Sequence, residues 1–166
     1  NINSKNIFLR VLKLLYLTFQ LLFKSMFFLT KDDNVFIVTN PVFILPFMAL
    51  LKKIKKFNVT ILVYDVFPEN LLATKLLKKQ SFIYKILKKI YDWSYNNFDN
   101  LIVIGRDMEE LISSKANKCK NISLIPNWCD EKKITPAKKE NNSIIKKFKL
   151  EDKIVFSFVA DFGLVQ

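Results

Sequence analysis

The chain has 166 residues, 51% of them hydrophobic and 14% aromatic, enough to bury the core of one ordinary domain or somewhat more, which excludes a disordered chain. Histidine is absent and Gly105 and Gly163 are the two glycines, so a histidine general base, a histidine-activated nucleophile, an imidazole zinc site and a Gly-rich phosphate cradle are all excluded. Against 15 acidic side chains stand 27 basic ones, a net charge of +12 carried almost wholly by lysine, so a polyanionic partner is expected.

Residues 7–29 form a long apolar run interrupted by Arg10, Lys13, Gln20 and Lys24. Each central charge costs a spanning helix about 2.5–3.5 kcal/mol, which favours a packed helix of a soluble domain. Short, β-branched, continuously apolar runs follow at 35–39, 60–64, 101–104, 122–125 and 154–158, the pattern of strands buried on both faces. Between the first four lie helix-patterned stretches at 46–56, 69–78, 81–95 and 107–115, with Pro46 and Pro68 where a first turn tolerates them. Ser81 and Asp107 are the expected N-caps. Strand and helix alternating in this way predict an α/β, Rossmann-like parallel sheet, doubly wound, with right-handed crossovers. From 131 the chain turns lysine-rich and polar, which reads as a linker, and a new unit is expected near Lys153.

In open α/β sheets ligands sit beyond the carboxyl ends of the strands, so the residues just after each strand come first. Here they are Asn40, then Asp65 and Glu69, then Arg106, then Asn127 and Trp128. Asp65 and Glu69 either cap the helix at Pro68 or contact a ligand. Asn40 is a turn residue bonded to its own backbone or a ligand contact. Arg106, one of two arginines in a lysine-rich chain, suits a fixed phosphate or carboxylate, or is simply solvated. Trp128 either plugs the core or offers a ring on which a sugar stacks, and the core reading is preferred. Cys119 and Cys129 have no metal-ligand spacing, so no metal is expected and reduced thiols of a cytoplasmic protein are the default.

The series Ile37-Val-Thr-Asn-Pro41, Leu62-Val-Tyr-Asp-Val-Phe-Pro-Glu69, Leu101-Ile-Val-Ile-Gly-Arg-Asp-Met108 and Leu124-Ile-Pro-Asn-Trp-Cys-Asp130 resembles bacterial family 4 glycosyltransferases of capsule, O-antigen and exopolysaccharide assembly. The resemblance covers nearly the whole chain and implies the two-domain GT-B fold. Residues 1–135 would be the acceptor-side domain without its first strand, and 136–166 the linker and the start of the donor-binding domain. It also implies a fragment, truncated at both ends, that does not turn over alone. The reaction implied is retaining transfer of a sugar from a nucleotide-sugar to a lipid-linked or saccharide acceptor, with no further cofactor and with the catalytic residues in the later domain. The family's donor-diphosphate loop corresponds to 159–163, with Asp161 and Gly163; Ala160 stands where the family has glycine, and Asp161 where it has asparagine.

In 81–95 the apolar residues Phe82, Ile83, Ile86, Leu87 and Ile90 share one face and Lys85, Lys88 and Lys89 lie toward the other. That helix either packs its apolar face into the core or lies on anionic lipid, assisted by the lysines at 52, 53, 55 and 56 and released by salt. The second reading places the protein on the inner face of the cell membrane. Too few arginine forks are present for base readout, so no nucleic acid is expected, although a non-catalytic basic module for membrane or nucleic acid is the alternative to an enzyme.

Overall fold

The computed structural model describes residues 7–119, 121–130, 132–133 and 138–156. The chain divides into two compact units, Asn1–Pro126 and Asn127–Gln166. In the first, β1 (Asn34–Val38), β2 (Asn58–Val63), β3 (Asn100–Val103) and β4 (Asn121–Leu124) lie side by side in that order, all parallel, as a Rossmann-like α/β sheet. Each strand falls within two residues of its sequence run. The helices are α1 (Ile7–Phe28), α2 (Ile44–Lys55), α3 (Asn70–Ala73), α4 (Phe82–Tyr95) and α5 (Arg106–Lys115).

Stepping in one direction through right-handed crossovers puts every connecting helix on the same side of the sheet. Accordingly α2 touches α4 and α4 touches α5, so that among the described residues the crossover helices form one layer on one side of the sheet. The core lies under that layer, where Val59, Ile61, Val63, Leu101 and Val103 are fully buried beneath Leu45, Met48, Tyr95 and Ile112. Residues on the opposite face are more open: Thr60, Leu62 and Ile102 are half-buried and Phe36 is exposed. Continuous apolar character therefore did not mean burial on both faces among the described residues.

Local chemistry sets the helix ends. Ser81 accepts a hydrogen bond from the Tyr84 amide at 3.2 Å and starts α4 as expected. Gly105, in extended conformation, is the N-cap of α5, which puts Asp107 inside the first turn instead of at the cap. A Cβ at Gly105 would stand 2.6 Å from the Asp107 carboxylate, so the bare glycine leaves room for that side chain to fold back. The helix expected over 69–78 shrinks to the four residues of α3. The Thr74 hydroxyl donates back to the carbonyls of Asn70 and Leu71, and Lys75 enters the left-handed region at φ 58°, which stops the helix.

Packing of α1 is confined to a narrow line. Thr18 is buried and Leu22 half-buried against the core, while Tyr16, Phe19, Phe23 and Phe27 stay exposed. Its 18-residue stretch Val11–Phe28 is long and apolar enough to cross a membrane, and 6% of that stretch is buried. The Lys55 ammonium donates to the Leu29 carbonyl at 2.7 Å and also to that of Met26, tying α2 to the end of α1.

In the second unit, α6 (Ser143–Phe148) is capped by Asn142, whose side chain accepts from the amides of Ile144 and Ile145. Residues 154–156 of the expected fifth strand are not in a strand, and 157–158 lie outside the described residues.

Candidate functional site

Four parallel strands have their carboxyl ends on one edge of the sheet, and the registers Val38 with Leu62, Val63 with Val103, and Val103 with Leu124 keep those ends level. Neighbouring strands are about 5 Å apart, so the loops after β1, β2 and β3 span a rim on the order of 10 Å wide. Asn40 and Asp65 in the first two loops and Arg106 as the first residue of α5 occupy that rim, and all three are exposed. None of their side chains hydrogen-bonds or ion-pairs with another group among the described residues, which leaves an amide, a carboxylate and a guanidinium free toward solvent.

Thr39 organises the first two loops. It is 1% exposed, and its hydroxyl oxygen accepts from the amides of Tyr64 at 3.2 Å and Asp65 at 3.1 Å. A buried threonine at a strand end reads in sequence as one more β-former, so its role escaped the sequence reading.

Glu69 sits differently. Its carboxylate receives the Lys115 ammonium at 2.7 and 2.8 Å, and Lys115 also reaches Asp92 at 2.6 Å. Lys88 pairs with Asp92 at 2.6 Å and stands 3.9 Å from Glu69, while the Tyr84 hydroxyl donates to Glu69 at 3.4 Å. The Lys115 side chain is 1% exposed and lies over the Tyr95 ring. Two carboxylates and two ammoniums thus balance inside the helix layer, joining the end of the β2 loop to α4 and α5. Burial by itself lowers the Lys88 pKa, but the hydrogen bond and charge of Asp92, with Glu69 beyond, outweigh it and leave the ammonium above its ordinary value. Burial, followed by the negative charge of Glu69, pushes the Tyr84 phenol up. Glu69 therefore fixes the loop that carries Asp65, and it makes no cap bond to α3.

Asn127 and Trp128 open the second unit, where both are exposed. At 86% exposure Trp128 is no core plug, which corrects the preferred sequence reading: among the described residues no neighbour covers its ring. Asp161 and Gly163 lie outside the described residues. Among the described residues no group of three or more carboxylates or thiols is placed to hold a metal.

Comparison with known proteins gives this rim a context. The chain is similar to a glycosyltransferase. It is 38% identical over 136 residues, 82% of its length, to the probable glycosyltransferase WbjE of Pseudomonas aeruginosa. The chain spans about one third of that relative, 34% of its length. No family model matches the chain.

Proposed function

We propose that this chain is the acceptor-side part of a GT-B-type, family 4 glycosyltransferase. The complete enzyme transfers a sugar, with retention of configuration, from a nucleotide-sugar to a lipid-linked or saccharide acceptor during assembly of a bacterial surface polysaccharide. It works on the inner face of the cell membrane. The observation that carries this reading is the rim: Asn40, Asp65 and Arg106 stand free at successive strand ends in a chain related over most of its length to a probable glycosyltransferase.

Each rim group has a task in such a reaction. Asp65 and Asn40 accept and donate hydrogen bonds to acceptor hydroxyls, and Arg106 holds a phosphate of a lipid-linked acceptor through its planar fork. The phosphate contact explains why an arginine stands there in a lysine-rich chain.

The test uses the full-length protein, a radiolabelled panel of UDP- and GDP-sugars, and membrane extract as the acceptor source. Asp65→Asn and Arg106→Lys are each expected to lower kcat/KM about 100-fold or more, because both change rim groups that hold no other part of the fold. Label transfer that both variants leave intact would remove the rim from the reaction. No transfer from any nucleotide-sugar would remove the reaction itself.

A further inference from the structure

Helices on the outside of an α/β layer normally turn a polar face to water. Here α4 does the reverse. Tyr84, Tyr91, Ser94 and Tyr95 are buried, and Lys88 and Asp92 point into the ion network. Meanwhile Phe82 is 76% exposed, Ile83 60%, and Ile86 and Ile90 about 40% each. Of the apolar face expected to pack in the core or on lipid, Leu87 packs against the core and the other four residues face away from it.

The neighbouring helix repeats the pattern. α2 exposes Phe47, Leu50 and Ile54 at spacings of three and four, one stripe along its outer side. Lys53 lies 5.2 Å over the Trp93 ring, joining the ends of the two stripes. An apolar groove of about 530 Å³ between α2 and α1, lined by Phe47, Leu15, Phe19 and Phe23, extends the surface further. Its one hydroxyl, on Thr18, is already bonded to the Leu14 carbonyl, so nothing polar in the groove waits for a partner.

Charge identifies what covers this face. Lys53, Lys56, Lys85 and Lys89 are exposed around it, α2 carries no acidic residue, and the one acid of α4, Asp92, is turned inward to Lys115 and Lys88. Apolar stripes edged by these lysines, with Asp99 at the end of the layer neutralised by Lys52 at 2.9 Å, match the boundary between anionic headgroups and acyl chains, with the lysine stems reaching up to the phosphates. We infer that the outer faces of α2 and α4 insert into the surface of an anionic lipid bilayer, so that the helix layer is a docking surface held by apolar burial as well as by charge. This deepens the membrane part of the proposed function and rests on it. Its mark is binding that survives salt, where adhesion by lysine alone does not.

The test is flotation of the full-length protein with vesicles of phosphatidylcholine and phosphatidylglycerol, at 0.1 M and 1 M NaCl. The unaltered protein is expected to float at both. The variant Ile83→Ser with Ile86→Ser and Ile90→Ser, whose sites are open to solvent, is expected to keep its unfolding temperature and to lose vesicle affinity about tenfold or more. The part of the tryptophan emission that is lost in a Trp93→Phe variant should shift to the blue on vesicle addition and be quenched by brominated acyl chains. Complete release at 1 M NaCl, or a triple variant that binds as well as the parent, would overturn insertion. Absence of vesicle binding overturns it too, whether the triple variant then breaks a dimer, which assigns the face to a second copy, or changes nothing. Nucleotide-sugar transfer to a soluble saccharide acceptor, measured on the same triple variant, tells failure of the surface from failure of the enzyme assignment.

Discussion

α4 and α5 are neighbours in one helix layer, and they divide polar from apolar in opposite senses. α5 buries Ile112 and shows Asp107, Glu110, Ser113 and Ser114 to solvent, the arrangement expected of an outer helix. α4 buries tyrosines, turns the half-buried Lys88–Asp92 pair inward and shows phenylalanine and isoleucine. Lys115 at the end of α5 is what permits the second arrangement, because its buried ammonium neutralises the carboxylates of Asp92 and Glu69. The charges on the inward face of α4 are therefore balanced, although the buried Tyr95 hydroxyl has no hydrogen-bond partner among the described residues, and the apolar side chains on the other face are left over for something outside.

Removing the neutralising charge should have the largest effect. Lys115→Met leaves Asp92 and Glu69 facing each other with Lys88 alone to balance them, and since both carboxylates are partly exposed the loss should be about 2–4 kcal/mol, read from urea unfolding. If the stability is unchanged, the network does not hold α4 in its reversed setting.

Alkali should act next. The Tyr91 hydroxyl donates to the Val42 carbonyl at 3.2 Å, and burial pushes its pKa up to about 12. An unfolded tyrosine releases its proton near pH 10, so the stabilisation is complete below that pH and is lost as pH rises toward 12. About 2–3 kcal/mol should disappear over that window, and Tyr91→Phe should make the decline in urea midpoint shallower by about that amount, the rest staying with Tyr95 and Tyr84, whose phenols burial also pushes up. Lys88, whose pKa is also raised, adds to the fall in the same direction.

The smallest effect is the sharpest contrast. Ile86→Ala on the exposed stripe of α4 should change stability by no more than about 0.5 kcal/mol, whereas Ile112→Ala in α5 should cost about 2–4 kcal/mol. Equal losses at the two sites would mean that α4 is an ordinary core helix after all.

Strand positions were plain in the sequence because runs such as 60–64 and 101–104 combine β-branched residues with turn signals at each end. The start of α4 was plain for the same local reason, a serine whose oxygen meets an amide three residues on. Periodicity also grouped Phe82, Ile83, Ile86, Leu87 and Ile90 on one face, of which Leu87 alone packs against the core. It carries no sign, however, and three tyrosines on the opposite side can bury as well as isoleucines when their surroundings are polar and paired. Glu69 and Lys115 are 46 positions apart, so their meeting, which takes Glu69 out of the open rim, had no local trace. The early stop of α3 depends on a left-handed lysine that no residue preference announces. Asn40, Asp65 and Arg106 could be placed at the strand ends from sequence because that placement needs the strand boundaries alone.

The Thr39 hydroxyl bonds two successive amides of the β2 loop from the end of β1. One oxygen atom thereby couples two separate segments, so the backbone at Asp65 cannot move away from the end of β1 without breaking a buried hydrogen bond one residue from Asn40.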